Sequence, residues 1–217
     1  MTSASSAPSS PSSGSSSASD AGATRSPEDL KSALLALEDM PPGFAVEPDA
    51  GSDDEGVYSS SRPGCADFVR LSNSAAAPGA TGSSAAAFSA GQDGPYINEE
   101  IDALGSANKV AALLHRLKSA VASCPSVKVS TPGEGSSVMQ VRAVSPPDAG
   151  RGAVAVRLTA SSGSLEGVEV TTVRTGVGDV VVSIDFLGAF PEDIDGATQD
   201  AVAKAGDALG ISTAGTT

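Results

Sequence analysis

From Val127 to Phe186 the apolar residues return at every second position, and that period admits little besides β-structure. Val127 and Val129 alternate with Lys128 and Ser130, and Val154, Val156 and Leu158 with Ala155 and Arg157. Val180, Val182, Ile184 and Phe186 alternate with Val181, Ser183 and Asp185. With residues 138–144 and 168–174 these segments make five successive strands. Their connectors, 132–135, 146–152, 161–164 and 176–178, are mostly short and rich in turn-forming residues, which favours antiparallel neighbours over crossovers.

Ahead of these strands the period is 3.6. Ser106 caps a predicted helix that runs to about residue 123, with Val110, Leu113, Leu114, Leu117, Val121 and Cys124 on one face. Another helix is expected over 27–39. Ser26 suits its N-cap, Pro27 its first position, and Glu28 and Asp29 its dipole, while Leu30, Ala33, Leu34 and Leu37 form the stripe that faces a core. Met40-Pro41-Pro42-Gly43 stops it. Extended segments around an acidic turn at 49–56, a strand at 57–60 and a short helix at 65–71 come next. Residues 73–84 read as a loop, and 85–90 and 96–104 as paired strands, although Ile97 to Ile101 would also suit a helix. A last helix, 195–209, ends at Gly210. The expected fold class is α+β: an antiparallel β-sheet with helices packed on one face and the other face solvated, in a single domain.

Residues 1–25 cannot join that core. They are Ser, Ala, Pro, Gly and Thr, with Asp20 and Arg25 the sole charges and Met1 the sole large apolar side chain. Such a segment buries too little to offset an ordering entropy of about 1–2 kcal/mol per residue. The expected organisation is a disordered tether over 1–25, an α+β domain over 26–210 and a flexible tail over 211–217.

A formal charge of −13, with only thirteen Lys and Arg scattered along the chain, argues against nucleic acid and against anionic membrane surfaces. Nine carboxylates against one Lys lie between Glu28 and Glu55, which reads first as a solvated acidic face. No stretch approaches the roughly 20 apolar residues of a membrane span, and the first residues lack the charged and apolar regions of a signal peptide. Taken literally, that composition means cytoplasm. The Ser-rich start instead reads as what remains when a secretory or lipoprotein signal is trimmed and replaced by a start codon.

Cys65 and Cys124 are the only cysteines, and they lack metal-type spacing. An isolated pair of this kind favours a structural disulfide and an oxidising compartment, the alternative being two reduced cysteines in a cytosolic protein. A bond closing so long a loop would remove about 4 kcal/mol of unfolded-state freedom.

No catalytic, cofactor or metal motif emerges. His115, the single histidine, lies about 100° around the helix from Leu114 and is expected to face solvent. A Ser-His-Asp scheme is the one nucleophilic arrangement left to test, and no GxSxG elbow accompanies it. Gly176-Val177-Gly178-Asp179 opens like a dinucleotide fingerprint, but a strand follows where a helix N-terminus is needed, so it reads as a hairpin turn; Gly133-Glu134-Gly135 fails likewise. Glu99, Glu100 and Asp102 could ligate a hard cation, yet they lack the alternation of an EF-hand loop and read as solvated charges.

Four stretches carry a resemblance: Leu34-Leu35 through Asp39-Met40-Pro41-Pro42-Gly43-Phe44, then Pro63-Gly64-Cys65, then Val110 to Cys124, then Val177-Gly178-Asp179-Val180-Val181. In that order the chain resembles, over about 27–210, actinobacterial cell-surface lipoproteins and the PknH-like extracellular sensor domain family of membrane Ser/Thr kinases. The resemblance implies an antiparallel sheet with packed helices and a cleft for an unidentified ligand. The kinase sensor domain uses two disulfides where this chain has one. No kinase signature is present, which favours a free-standing tethered module. The expected function is a noncatalytic, extracytoplasmic ligand-binding or sensor-like module at the cell envelope, secreted or on the cell surface. Its cleft would lie between the sheet and the 106–123 helix. It would be monomeric, without a cofactor, and partnered by a small ligand or an envelope protein, with a lipid anchor ahead of Met1. The rival readings are a structural or protein-interaction domain of the envelope and, behind it, an enzyme.

Overall fold

The computed structural model describes residues 24–48, 56–92, 94–133 and 135–211. Most of the expected tether and tail, and all of the acidic turn at 49–56 except Gly56, therefore lie outside the described residues. Arg25 and Ile211, at the inner limits of the expected tether and tail, are held against the body. The Arg25 guanidinium pairs with Asp179 (Nη2 to Oδ1 2.6 Å, Nε to Oδ2 3.1 Å) and donates to the Leu209 carbonyl at 3.0 Å. The Ile211 N–H donates to the Gly206 carbonyl at 2.8 Å.

One antiparallel sheet of nine strands spans the described residues: β1 (Ala45–Glu47), β2 (Val57–Ser59), β3 (Gly82–Ser89), β4 (Tyr96–Ala103), β5 (Ser126–Thr131), β6 (Gly135–Val144), β7 (Arg151–Gly163), β8 (Glu169–Val177) and β9 (Val180–Leu187). Their order is β1-β3-β4-β9-β8-β7-β6-β5-β2. The last five strands form the meander that their short connectors require. Gly178 and Asp179 alone join β8 to β9, with Val177 opposite Val180. Pairing with β3 on one side and β9 on the other resolves the ambiguous segment at Ile97 to Ile101 as strand.

Among the described residues four α-helices accompany the sheet: α1 (Pro27–Ala33), α2 (Ala66–Ser72), α3 (Ala107–Ser123) and α4 (Pro191–Ala208). The Ser106 hydroxyl caps α3 by accepting from the Lys109 N–H at 3.4 Å, and Val110, Leu114, Leu117, Ala120 and Val121 are its buried face. The last helix begins four residues before its expected start, with Pro191 at its first position and the Phe190 N–H donating to Asp193.

The single helix expected over 27–39 is broken. It ends at Leu34, whose backbone turns extended, and a short 3₁₀ turn follows at Leu37–Asp39. In an unbroken helix Leu35 would point about 100° away from Leu34 and off the apolar stripe. The break buries Leu35 to 3 % exposure and delivers its N–H to the Glu99 carboxylate at 2.6 Å.

The α+β class and the antiparallel sheet are as expected, but the helices divide between the two faces. Register shows why. Ala155, Val173, Ile184 and Glu99 lie side by side on β7, β8, β9 and β4. Their face carries Ile97, Ile101, Val180, Val182 and Phe186 under α1 and α4, with Leu30, Ala33, Ile194, Ala201, Val202 and Ala205 filling the seam. Their neighbours in sequence point the other way. Val154, Val156 and Leu158 join Val127, Val129, Met139 and Val141 beneath Phe68 and Leu71 of α2 and Leu117 and Val121 of α3. The apolar surface available to the two layers is thus displaced along the sheet, α1 and α4 over β3-β4-β9-β8 and α2 and α3 over β8-β7-β6-β5. On the α2/α3 face α3 reaches β9 only at Val181, and the rest of β9 and β4 is left without a covering helix. No described helix is long and apolar enough to cross a membrane.

Candidate ligand cleft

The uncovered part of the α2/α3 face is the floor of a cleft of about 440 Å³. Its floor is a grid set by strand register. Leu158, Val170, Leu187 and Tyr96 form one row across β7, β8, β9 and β4; Val156, Thr172, Asp185 and Asn98 form the next; Val154, Arg174, Ser183 and Glu100 form a third. Phe68 and Ser72 of α2 and Leu117 of α3 stand over the apolar end, while Arg174, Asp185, Thr172, Asn98 and Tyr96 line the polar end. Tyr58 of β2 borders the same cavity as Tyr96 of β4. Those strands are six places apart in the sheet, about 29 Å if it were flat. The sheet therefore coils around this face and makes it concave.

A covalent clamp holds the wall. Cys65, just ahead of α2, and Cys124, at the end of α3, are fully buried and disulfide-bonded, with Cα atoms 4.5 Å apart. Gly64 lets the two segments meet this closely, since a Cβ there would come within 2.9 Å of the Ser123 carbonyl oxygen. The bond closes a loop of 59 residues and fixes Phe68 relative to Leu117.

Two charged groups of the floor are left without partners. Arg174 Nε and Asp185 Oδ1 are buried and make no hydrogen bond, and neither residue belongs to an ion pair among the described residues. Beyond them, Glu100 Oε1 accepts from the Ser83 hydroxyl at 3.0 Å, and Asp102 Oδ2 accepts from the Ala77 N–H at 2.9 Å while its Oδ1 is buried without a partner. Burial, reinforced by the Asp102 charge, pushes the Glu100 carboxyl up to about 7, and burial raises Asp102 as well.

The fold is that of a known extracellular domain. The chain is similar in structure to the extracellular domain of PknH from Mycobacterium tuberculosis, seen in a crystal structure, with a TM-score of 0.59 over 86 % of this chain and 97 % of that one. Sequence identity is 18 %, so the likeness is one of fold. No family model and no curated protein matches the sequence.

The structure places the other candidate residues away from this cleft. His115 is exposed on the outer side of α3 and borders a separate groove with Lys118 and Arg151. Gly176 to Asp179 close the β8–β9 hairpin; Asp179 is, in addition, the partner of Arg25. Gly133 and Gly135 flank the β5–β6 turn. Reading Glu99, Glu100 and Asp102 as solvated charges is corrected, because Glu99 and Asp102 are each 1 % exposed. Strand alternation sends Glu99 under α1, where burial pushes its carboxyl up to about 7 despite the Leu35 N–H, and sends Glu100 and Asp102 to the opposite face. The three cannot converge on one ion, and no group of three or more ligating side chains gathers among the described residues.

Arg174, Asp185, Thr172, Asn98 and Tyr96 were not singled out by the sequence. The available signal was the hairpin centre. With Gly178 and Asp179 as the turn, Arg174 must face Ser183 and Thr172 must face Asp185, which sets two opposite charges on one face without pairing them directly.

Proposed function

We propose that this chain is a noncatalytic, extracytoplasmic ligand-binding module of sensor type, tethered at the cell envelope through its Ser/Ala/Pro-rich N-terminal segment. The cleft is its ligand site. One observation carries the reading: a concave cavity of about 440 Å³ whose apolar wall meets a few convergent polar groups, two of them charged and unpartnered. Binding sites for small molecules have this size and this mixture, whereas a protein-docking face is flat. Two further features support the location. The fold resembles a domain described as extracellular, and the Cys65–Cys124 bond suits an oxidising compartment.

The test is native mass spectrometry of the full chain purified from its own host. A retained small molecule is expected, and Val170→Trp, at a half-buried floor position that lines the cavity, should abolish it while the far-ultraviolet spectrum stays the same. Host-purified protein without any adduct, or an adduct that survives Val170→Trp unchanged, would overturn the assignment.

A further inference from the structure

Arg174 and Asp185 sit at diagonal positions of the floor grid, on adjacent strands, with Ser183 and Thr172 completing the square. Opposite charges placed so close ordinarily close on each other. Here they are held apart, half withdrawn from water, and each keeps a buried polar atom without a partner. Unpaired charge in such a setting costs free energy, so the arrangement is made for groups that arrive from outside. Glu100 and Asp102 do not line the cavity: Glu100 accepts from Ser83, and Asp102 accepts from the Ala77 backbone through Oδ2 while its Oδ1 stays buried without a partner.

The sign of the incoming group follows from what each candidate would leave behind. A simple anion would pair with Arg174 but stand beside Asp185, with Glu100 one strand further. A simple cation would pair with Asp185 but stand beside Arg174. A neutral apolar molecule would satisfy neither and would bury both more deeply. Resting on the reading of the cleft as a ligand site, we propose that it takes a zwitterion with an apolar body, its anionic end on Arg174, its cationic end on Asp185 and its apolar part against Phe68, Leu117, Val156 and Leu158. Asn98 and Thr172, in the Asp185 row, offer neutral hydrogen bonds to the same headgroup.

Two sources supply this chemistry, a free apolar amino acid and a zwitterionic phospholipid headgroup. Calorimetric titration of the full chain at neutral pH separates them, with L-phenylalanine as one probe and monomeric dihexanoylphosphatidylcholine as the other. The decisive controls are phenylalanine's one-charge relatives, 3-phenylpropanoate and 2-phenylethylamine. At least one zwitterion should bind about tenfold or more tighter than both controls, the loss expected for one charge-assisted hydrogen bond. Arg174→Gln should erase the advantage over the amine, and Asp185→Asn the advantage over the propanoate. The comparison on the unmodified chain stands even if either variant folds poorly. A control that binds as tightly as the zwitterions overturns the zwitterion proposal while leaving a ligand site in place. Failure of both zwitterions to bind at millimolar concentration also overturns it, and failure of all four probes together with no retained ligand removes the ligand site itself.

Discussion

Glu99 and Glu100 are consecutive residues of β4, and burial raises both carboxyls to about 7, yet they belong to two different environments. Glu99 points into the face closed by α1 and α4. Its Oε2 takes the Leu35 N–H, holding the chain where α1 breaks, and the Lys204–Asp39 ion pair contributes to the local field. Glu100 points to the opposite face, the one that carries the cleft, where its neighbours are Ser83, Asp102, Arg174 and Asp185. On the closed side one oxygen of the carboxylate completes a backbone that would otherwise be unsatisfied, while Oε1 stays buried without a partner. On the open side two opposite charges, Arg174 and Asp185, each with an unpartnered buried atom, share one cavity. Alternation along one strand thus builds a sealed core and a receptive surface a residue apart.

The largest effect expected concerns the clamp that supports the open side. Cys65→Ser should lower stability by about 2–5 kcal/mol, read as a shift of the urea midpoint. Without reductant the intact mass should lie about 2 Da below the reduced mass. An unchanged midpoint would mean that α2 and α3 hold the wall without the bond.

On the closed side, Glu99→Gln should change the pH dependence of stability. The folded carboxyl titrates at about 7 and the unfolded one near 4.5, so the native state holds more protons between these values. The contribution of this group is therefore fully present below about 4.5 and lost as pH rises through about 7. The native chain should lose up to about 3 kcal/mol across that window through Glu99, at about 1.36 kcal/mol per unit. The glutamine, whose amide oxygen still accepts from Leu35, should not. Parallel profiles for the two proteins would show that Glu99 is not sealed as described.

Arg25→Ala should cost about 1.5–3 kcal/mol, the range for hydrogen bonds to charged groups, because its guanidinium ties the β8–β9 turn to the end of α4. Removing residues 1–23 should leave the thermal midpoint unchanged, whereas extending the deletion through Arg25 should lower it. Smallest of all, His115→Ala should move stability by no more than about 0.5 kcal/mol, as for other exposed sites. A larger change would place that side of α3 in contact with something.

The elements with a long uninterrupted period were legible in the sequence. Val110, Leu114, Leu117 and Val121 announce α3, and the alternating valines announce β5 to β9. Period alone could not say that helices lie on both faces, although Val180, Val181 and Val182 hold a hint. All three are fully buried, which a sheet covered on one side does not allow. The break at Leu34 was invisible because its cause, Glu99, lies 64 residues along the chain from the Leu35 N–H it accepts. Arg174 and Asp185 were passed over for a similar reason. A polar residue at every second position looks the same whether its side of the sheet meets bulk water or a concave cleft.

Methyl-resolved NMR of the full chain, titrated with the small-molecule fraction of its host's extract, tests the contrast between the faces most directly. The account predicts shifts at Leu117, Val154, Val156, Leu158 and Val170, with Ile101, Val173, Val182 and Ile184 of the closed face unmoved. Shifts centred on the second group, or none on either, would contradict it.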